Sequence, residues 1–593
     1  MEKVEQDFEA PCHKYYKIFN TNSKEDEGYE YRFLSPFEFK NVLLDTGIKG
    51  VGKDKMLNAG RGNPNFYCTT PRIAFSLLNT ICTEIGTEGV KGESWGVMPP
   101  TKKLWNRVMK KVNKLPKSKE CRFLKKAIRK MHLLSKMSKD DFMHDLVIST
   151  QGTFYPSPSR CQKFAEPSIL EFLDKNVYRS KKPLREKTDL FVTEGASAAI
   201  IYVFNTLSYN EIINAGDTIG LITPIFSPYL EVPDLNNYRL EQLCVESNVD
   251  NDWGIPEKEF QKIAEIDPKT GKPKMKALFF CNPGNPSSMA LPTKNMKKLA
   301  RFIKKNNPNL VILTDNVYAP FVDEYESIFN LLPKNTIAVY SYSKYFGTTG
   351  WRLGTIMVNK SNIFDSKNGY LRNASETVNN RYKVVSTDPQ KIKLIDRLLM
   401  DSRQVAEGHT AGLSTPQQVI MCLFGMYDMM DTNRVYYHQI KDTLKLRMDL
   451  LTKPINYTVD EGPRQTNYYV ILNILNIAAQ KSKDFKEYVA NRDPLEFLIK
   501  LAATGVILLP ALGFAGDFWG VRASLANLET EKYSLIGQKI QNMVDVYYNE
   551  FLKVSKSDGD EITIQKTKKN KISKKNSEPL PKNNFSHTLI GRT

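Results

Sequence analysis

From about residue 189 the chain alternates short apolar runs with longer amphipathic stretches. The runs cover 189–193, 218–223, 276–281, 310–314, 336–340 and 354–358 and are rich in Ile, Leu, Val and Phe. Runs this short, apolar at successive positions, predict strands buried on both faces. Between them 196–207 reads as helix, and Met296, Leu299, Ala300 and Ile303 share one helical face. This alternation predicts an α/β fold, a mostly parallel central sheet covered by helices. Ligands of such sheets sit at the carboxyl ends of the strands.

Upstream, 101–139 repeats apolar residues at helical spacing: Leu104, Val108 and Val112, then Leu124, Ala127, Ile128 and Met131, with Pro116 between. A helical hairpin is expected. The patterning sets off a polar N-terminal arm at 1–30, and 31–188 is expected to be the N-terminal part of a smaller α+β domain. A large ligand-binding domain follows at 189–400, then the C-terminal part of the small domain at 401–554. Residues 555–593, rich in Lys, Asn and Ser, read as a disordered basic tail.

Charge sharpens this picture. The chain has 593 residues and a formal charge of +19, which invites a nucleic-acid reading. The hairpin segment alone carries +14 and residues 553–593 carry +6, so the remainder is close to neutral. An amphipathic pair of helices with a solvated basic face accounts for the first, and a solvated tail for the second. A nucleic-acid partner is therefore not expected. The six histidines and eight cysteines are scattered without metal-ligand or C-x-x-C spacing. No metal site is expected, and the cysteines read as thiols of a reducing compartment. No run approaches the roughly 18 apolar residues of a membrane span, and the acidic start Met1-Glu2-Lys3-Val4-Glu5 lacks a signal-peptide core. The expected location is the cytoplasm. Gly47 to Lys53 nearly matches a P-loop, but Asp54 stands where a hydroxyl must meet Mg²⁺.

The candidate chemistry lies at the strand ends. Lys344 follows a buried run in Ser341-Tyr342-Ser343-Lys344, and Arg352 comes eight residues later. A lysine there is costly unless its polar site uses it, and a desolvated amine attacks carbonyls. Asp315 ends the neighbouring run, with Tyr318 three residues on. Asn282-Pro283-Gly284-Asn285-Pro286 offers amides on a rigid turn, and Gly195-Ala196-Ser197 opens a helix able to hold a phosphate. A lysine for an aldehyde, an aspartate for a pyridinium and a helix N-terminus for a phosphate suit pyridoxal 5'-phosphate.

With N-P-x-N-P, D-x-x-Y and S-x-S-K followed by Arg352, the sequence over about 190–360 resembles the class I aminotransferases, which are fold-type I pyridoxal phosphate enzymes. More narrowly, 33–550 is similar to the aspartate 4-decarboxylases. The residues that carry this are Ser35 to Lys40, Leu57 to Asn65, Thr223 to Tyr229 and Trp519 to Asn527. The resemblance implies that Lys344 bonds the cofactor and shuttles protons, and that Asp315 pairs with its ring nitrogen. Asn285 and Tyr318 would hold its phenolic oxygen, Phe226 would stack on its ring, and Ala196, Ser197, Ser341 and Arg352 would hold its phosphate. Tyr155 would reach the phosphate of a neighbouring subunit, which implies a homodimer or a higher homo-oligomer. Arg522 would clamp the substrate α-carboxylate, with Arg61 and Lys40 near the distal carboxylate. The implied reaction converts L-aspartate to L-alanine and CO₂, with aspartate aminotransferase side activity. The alternatives are a dicarboxylate aminotransferase on the same site, or an inactive scaffold that binds nucleic acid or a protein partner.

Overall fold

The computed structural model describes residues 36–573 except Lys182, Leu184, Arg185, Asn236 and Asp517, and gives residues 36, 37 and 556–573 by backbone alone. The arm at 1–30 lies outside the described residues. Twelve strands occur among them. They are β1 (Leu57–Asn58), β2 (Thr188–Thr193), β3 (Thr218–Thr223), β4 (Glu241–Glu246), β5 (Met275–Cys281), β6 (Val311–Asp315), β7 (Thr336–Ser341), β8 (Gly354–Asn359), β9 (Tyr469–Asn473), β10 (Val506–Ile507), β11 (Leu509–Pro510) and β12 (Gly520–Ser524).

Seven of these form one sheet in the order β2-β8-β7-β6-β5-β3-β4. Every neighbouring pair is parallel except the two made by β8, which runs against β2 and β7. Six of the seven match the apolar runs. The seventh, β4, has an exposed Glu241 and a buried Gln242, a mixed pattern that a half-buried edge strand tolerates. Successive residues of the central strands serve different packing layers. Phe191, Phe279, Leu313, Ile337 and Val339 pack on one side with Ala199, Val203 and Phe204 of helix Ala196–Tyr209 and Leu398 of helix Leu394–Asp401. Leu278, Phe280 and Ile312 pack on the other with Met296, Leu299 and Ile303 of helix Thr293–Asn306. Leu190, Val192, Ala338 and Tyr340 join a third cluster.

Helices Thr70–Thr87, Lys119–Ser135, Lys139–Gln151 and Ala165–Phe172 pack on helix Thr415–Met430 in that third cluster, and helix Leu104–Lys114 packs on the first three of them. Helix Leu104–Lys114 buries Leu104, Val108, Met109 and Val112. Helix Lys119–Ser135 starts where Ser118 Oγ accepts from Cys121 N, and buries Leu124, Ala127, Ile128 and Met131. Part of the basic face is paired. Arg107 meets Glu88 at 2.7 Å and Lys111 meets Glu84 at 2.9 Å. These are weak surface pairs, yet they leave less free positive charge than the composition suggests.

The two chain ends build a second region. Helix Pro36–Val51 packs on helix Pro494–Ala503, β1 pairs with β10, and β11, β12 and β9 form an antiparallel sheet. The last helix, Lys532–Ser573, packs on helix Val435–Thr452 and runs past the expected boundary at 555. Residues 574–593 lie outside the described residues. Cys68, Cys82, Cys121, Cys161 and Cys422 are buried free thiols. Cys244 departs from the expectation of thiols throughout, since it is disulfide-bonded.

Candidate active site

The sheet and the end-built region meet at a cavity of about 360 Å³, within the range of small-ligand sites. Its wall includes Lys40, Arg61, Ala196, Ser197, Phe226, Asn285, Asp315, Tyr318, Ser341, Lys344, Arg352 and Arg522. The structure thus brings together every sequence-derived site residue except Tyr155. That residue is 71% exposed and does not line the cavity of its own chain.

The sheet supplies one wall from its strand ends. Asp315 is the last residue of β6 and is buried. Its Oδ1 accepts from Val317 N at 3.1 Å. Burial pushes its carboxyl up to about 6, with the Val317 amide and Lys344 pulling the other way. Lys344 follows the end of β7, and its Nζ donates to Gly62 O at 3.1 Å. Ser341 Oγ, at the end of β7, donates to Ser343 Oγ at 2.9 Å. Gly195 caps helix Ala196–Tyr209 at φ 89°, a left-handed setting that suits glycine. A Cβ there would stand 2.6 Å from Arg352 Nη2, so the bare backbone lets the guanidinium reach the helix start. Arg352 has a left-handed φ of 55°, donates to Thr349 O at 2.9 Å and meets no Asp or Glu among the described residues. Helix N–H groups and an unpaired guanidinium together form an anion cradle.

The opposite wall comes from the chain ends. Arg522 of β12 is buried, and its Nη1 donates to Asn285 Oδ1 at 3.0 Å while Nη2 donates to Gly60 O at 2.7 Å. Its guanidinium carbon lies 4.3 Å from the centre of the Tyr469 ring and 4.7 Å from that of Phe514. Arg522 pairs with Ile471 across the β12–β9 ladder, which makes Tyr469 its same-face diagonal neighbour. Nε has no partner, no carboxylate faces the group among the described residues, and burial lowers its pKa. A buried cation without an anion is strongly unfavourable; an incoming carboxylate removes that cost. Arg61 is exposed and Lys40 half-buried where the two walls meet.

Tyr469 is the lining residue that pattern reading passed over. Its hydroxyl lies 2.8 Å from that of Tyr318. A Cβ on Gly62 would stand 2.4 Å from the Tyr469 hydroxyl and 3.4 Å from Lys344 Nζ, so Gly62 leaves the space that both polar tips occupy. Nothing in a Tyr-Tyr-Val-Ile-Leu strand run separates such a residue from core.

Comparison with known proteins identifies the family. The sequence model for class I and II aminotransferases matches residues 132–534, and the chain belongs to that family. It is 34% identical over 530 residues to a bifunctional aspartate aminotransferase and L-aspartate beta-decarboxylase from Pseudomonas sp, covering 88% of this chain and 98% of the relative. Among solved structures, a Thermus thermophilus aspartate aminotransferase double mutant aligns with a TM-score of 0.51 at 16% identity, over 86% of this chain and 96% of that one. An aromatic aminotransferase from Pyrococcus horikoshii aligns with a TM-score of 0.51 at 16% identity, over 86% and 100%. These establish the fold as fold-type I. The chain is an enzyme of a family that in general depends on pyridoxal phosphate. No helix among the described residues is long and apolar enough to cross a membrane.

Proposed function

We propose that the chain is a pyridoxal 5'-phosphate-dependent aspartate 4-decarboxylase that releases L-alanine and CO₂ from L-aspartate, with aspartate aminotransferase activity at the same site. The near full-length likeness to a relative with both activities carries this reading. The residues fit the cofactor. A buried carboxylate at Asp315 awaits a ring cation, the Gly195 cradle with Arg352 awaits a phosphate, and Arg522 awaits a carboxylate.

When bound, the cofactor supplies a ring that accepts electrons from the substrate. The protein's own residues do the rest. Ala196, Ser197, Ser341 and Arg352 hold the phosphate, Phe226 covers the ring, and Asn285 and Tyr318 donate to its phenolic oxygen. Asp315 keeps its charge by facing the protonated ring nitrogen; a cation at that distance lowers a raised carboxyl pKa. Lys344 Nζ would hold the cofactor aldehyde at rest and, once the substrate amine takes that place, the freed Nζ would take the substrate Cα proton and return it. Arg522 orients the α-carboxylate, and Arg61 with Lys40 lies on the side of the distal one. A cation held tightly on that distal group disfavours loss of CO₂, and exposed Arg61 is free to relax. Tyr155, exposed on its own chain, serves the phosphate of a second copy in a cytosolic homodimer.

Transamination by this site has the same first proton transfer, and the relative's two activities favour keeping both readings. Product analysis separates them. Purified protein should absorb near 400 nm, and with aspartate alone it should release alanine and CO₂ in equal amounts. Turnover that requires an added 2-oxo acid and yields oxaloacetate would make it an aminotransferase only. Absence of the absorbance would remove the cofactor reading.

A further inference from the structure

Tyr469 touches both functional walls without a role in the reading above. Its ring lies under the Arg522 guanidinium at 4.3 Å, and its hydroxyl is 2.8 Å from that of Tyr318. It is 2% exposed, and Ser288 Oγ accepts from its backbone N at 2.8 Å, which fixes the strand there. Two phenols in contact share one hydrogen bond, so one donates and the other accepts. A cation over a phenol ring draws electron density from it and makes its O–H the better donor. Arg522 is closer to Tyr469 than to any other ring. Either hydroxyl can donate in this contact; the cation over its ring favours Tyr469 as the donor and Tyr318 as the acceptor. That leaves the Tyr318 proton to point into the cavity, and a phenol that accepts one hydrogen bond donates a stronger one.

We propose that Tyr469 is a positioning residue that sets Tyr318 as a hydrogen-bond donor to the phenolic oxygen of the cofactor. This rests on the cofactor reading. In the loaded protein the phenolic oxygen would share a proton with the nitrogen that Lys344 brings. A strong donor draws charge from the oxygen and loosens that proton. A weaker donor tightens it and raises the pH at which the bound cofactor changes colour.

The test is a pH titration of the absorbance of pyridoxal phosphate-loaded protein, for wild type, Tyr469→Phe, Tyr318→Phe and the double variant. Tyr469→Phe should raise the midpoint by about 0.2 unit, since a neighbouring hydrogen bond strengthens another by only about 10–30%. Tyr318→Phe should raise it at least as far. The double variant should match Tyr318→Phe alone, because Tyr469 acts through Tyr318. An unchanged midpoint in Tyr469→Phe with cofactor bound, or additive shifts in the double variant, would overturn the role. A wild-type protein that never shows the absorbance would overturn the cofactor reading and this role with it.

Discussion

Lys344→Ala protein is expected to bind pyridoxal phosphate and turn over no aspartate. Lys344 stands between Ser341 and Arg352 at the end of a buried strand, with Nζ against Gly62 O. In the proposed function its amine has two tasks, bonding the cofactor and moving the Cα proton. Loss of a positioned acid–base group alone costs about 10²- to 10⁴-fold, and loss of the covalent partner adds to that. The phosphate cradle at Gly195 to Ser197, Arg352 and Asp315 are untouched, so the cofactor should stay as the free aldehyde. Absorption spectra and alanine release measured on the same preparation decide it. A variant that kept the spectrum of lysine-linked cofactor would show that another amine does this work.

Arg522→Lys should cost far more than a charge-conserving change suggests. The guanidinium lies between the Tyr469 and Phe514 rings and donates through both terminal nitrogens. A planar fork fits that slot and can offer two parallel bonds to a carboxylate; an ammonium gives one shorter contact and lets the substrate turn. Loss of one charged hydrogen bond costs about 1.5–3 kcal/mol, or about ten- to a hundredfold in rate. KM should rise and kcat fall for decarboxylation and transamination alike, since both need the Cα–H bond held towards Lys344. If kinetics of the two reactions showed a fall in decarboxylation only, Arg522 would serve the distal carboxylate and Arg61 the other.

Much of the central sheet is legible in the sequence because strands buried on both faces read as unbroken apolar runs. Leu190 to Val192 and Ile337 to Tyr340 are buried without interruption. The reverse direction of β8 is not legible, since strand polarity leaves no mark on composition. The cavity residues at strand ends are legible where chemistry and burial conflict, as for Asp315 and Lys344. Tyr469 was hidden because its role depends on a diagonal across a ladder and on a missing side chain at Gly62, which lies 407 positions away. Tyr155 has no place in its own chain's cavity; a residue expected to serve a second copy is not tested by one.

The bond from Arg522 Nη2 to Gly60 O joins residues 462 positions apart. The residues proposed to hold the phosphate within one chain, by contrast, all fall between Gly195 and Arg352. Closing so long a loop is entropically late. During synthesis the phosphate-binding half is complete long before Arg522 leaves the ribosome, so capture of cofactor can precede the ability to hold substrate. In refolding from denaturant, cofactor fluorescence should recover ahead of activity, and simultaneous recovery would show that the two halves assemble as one step.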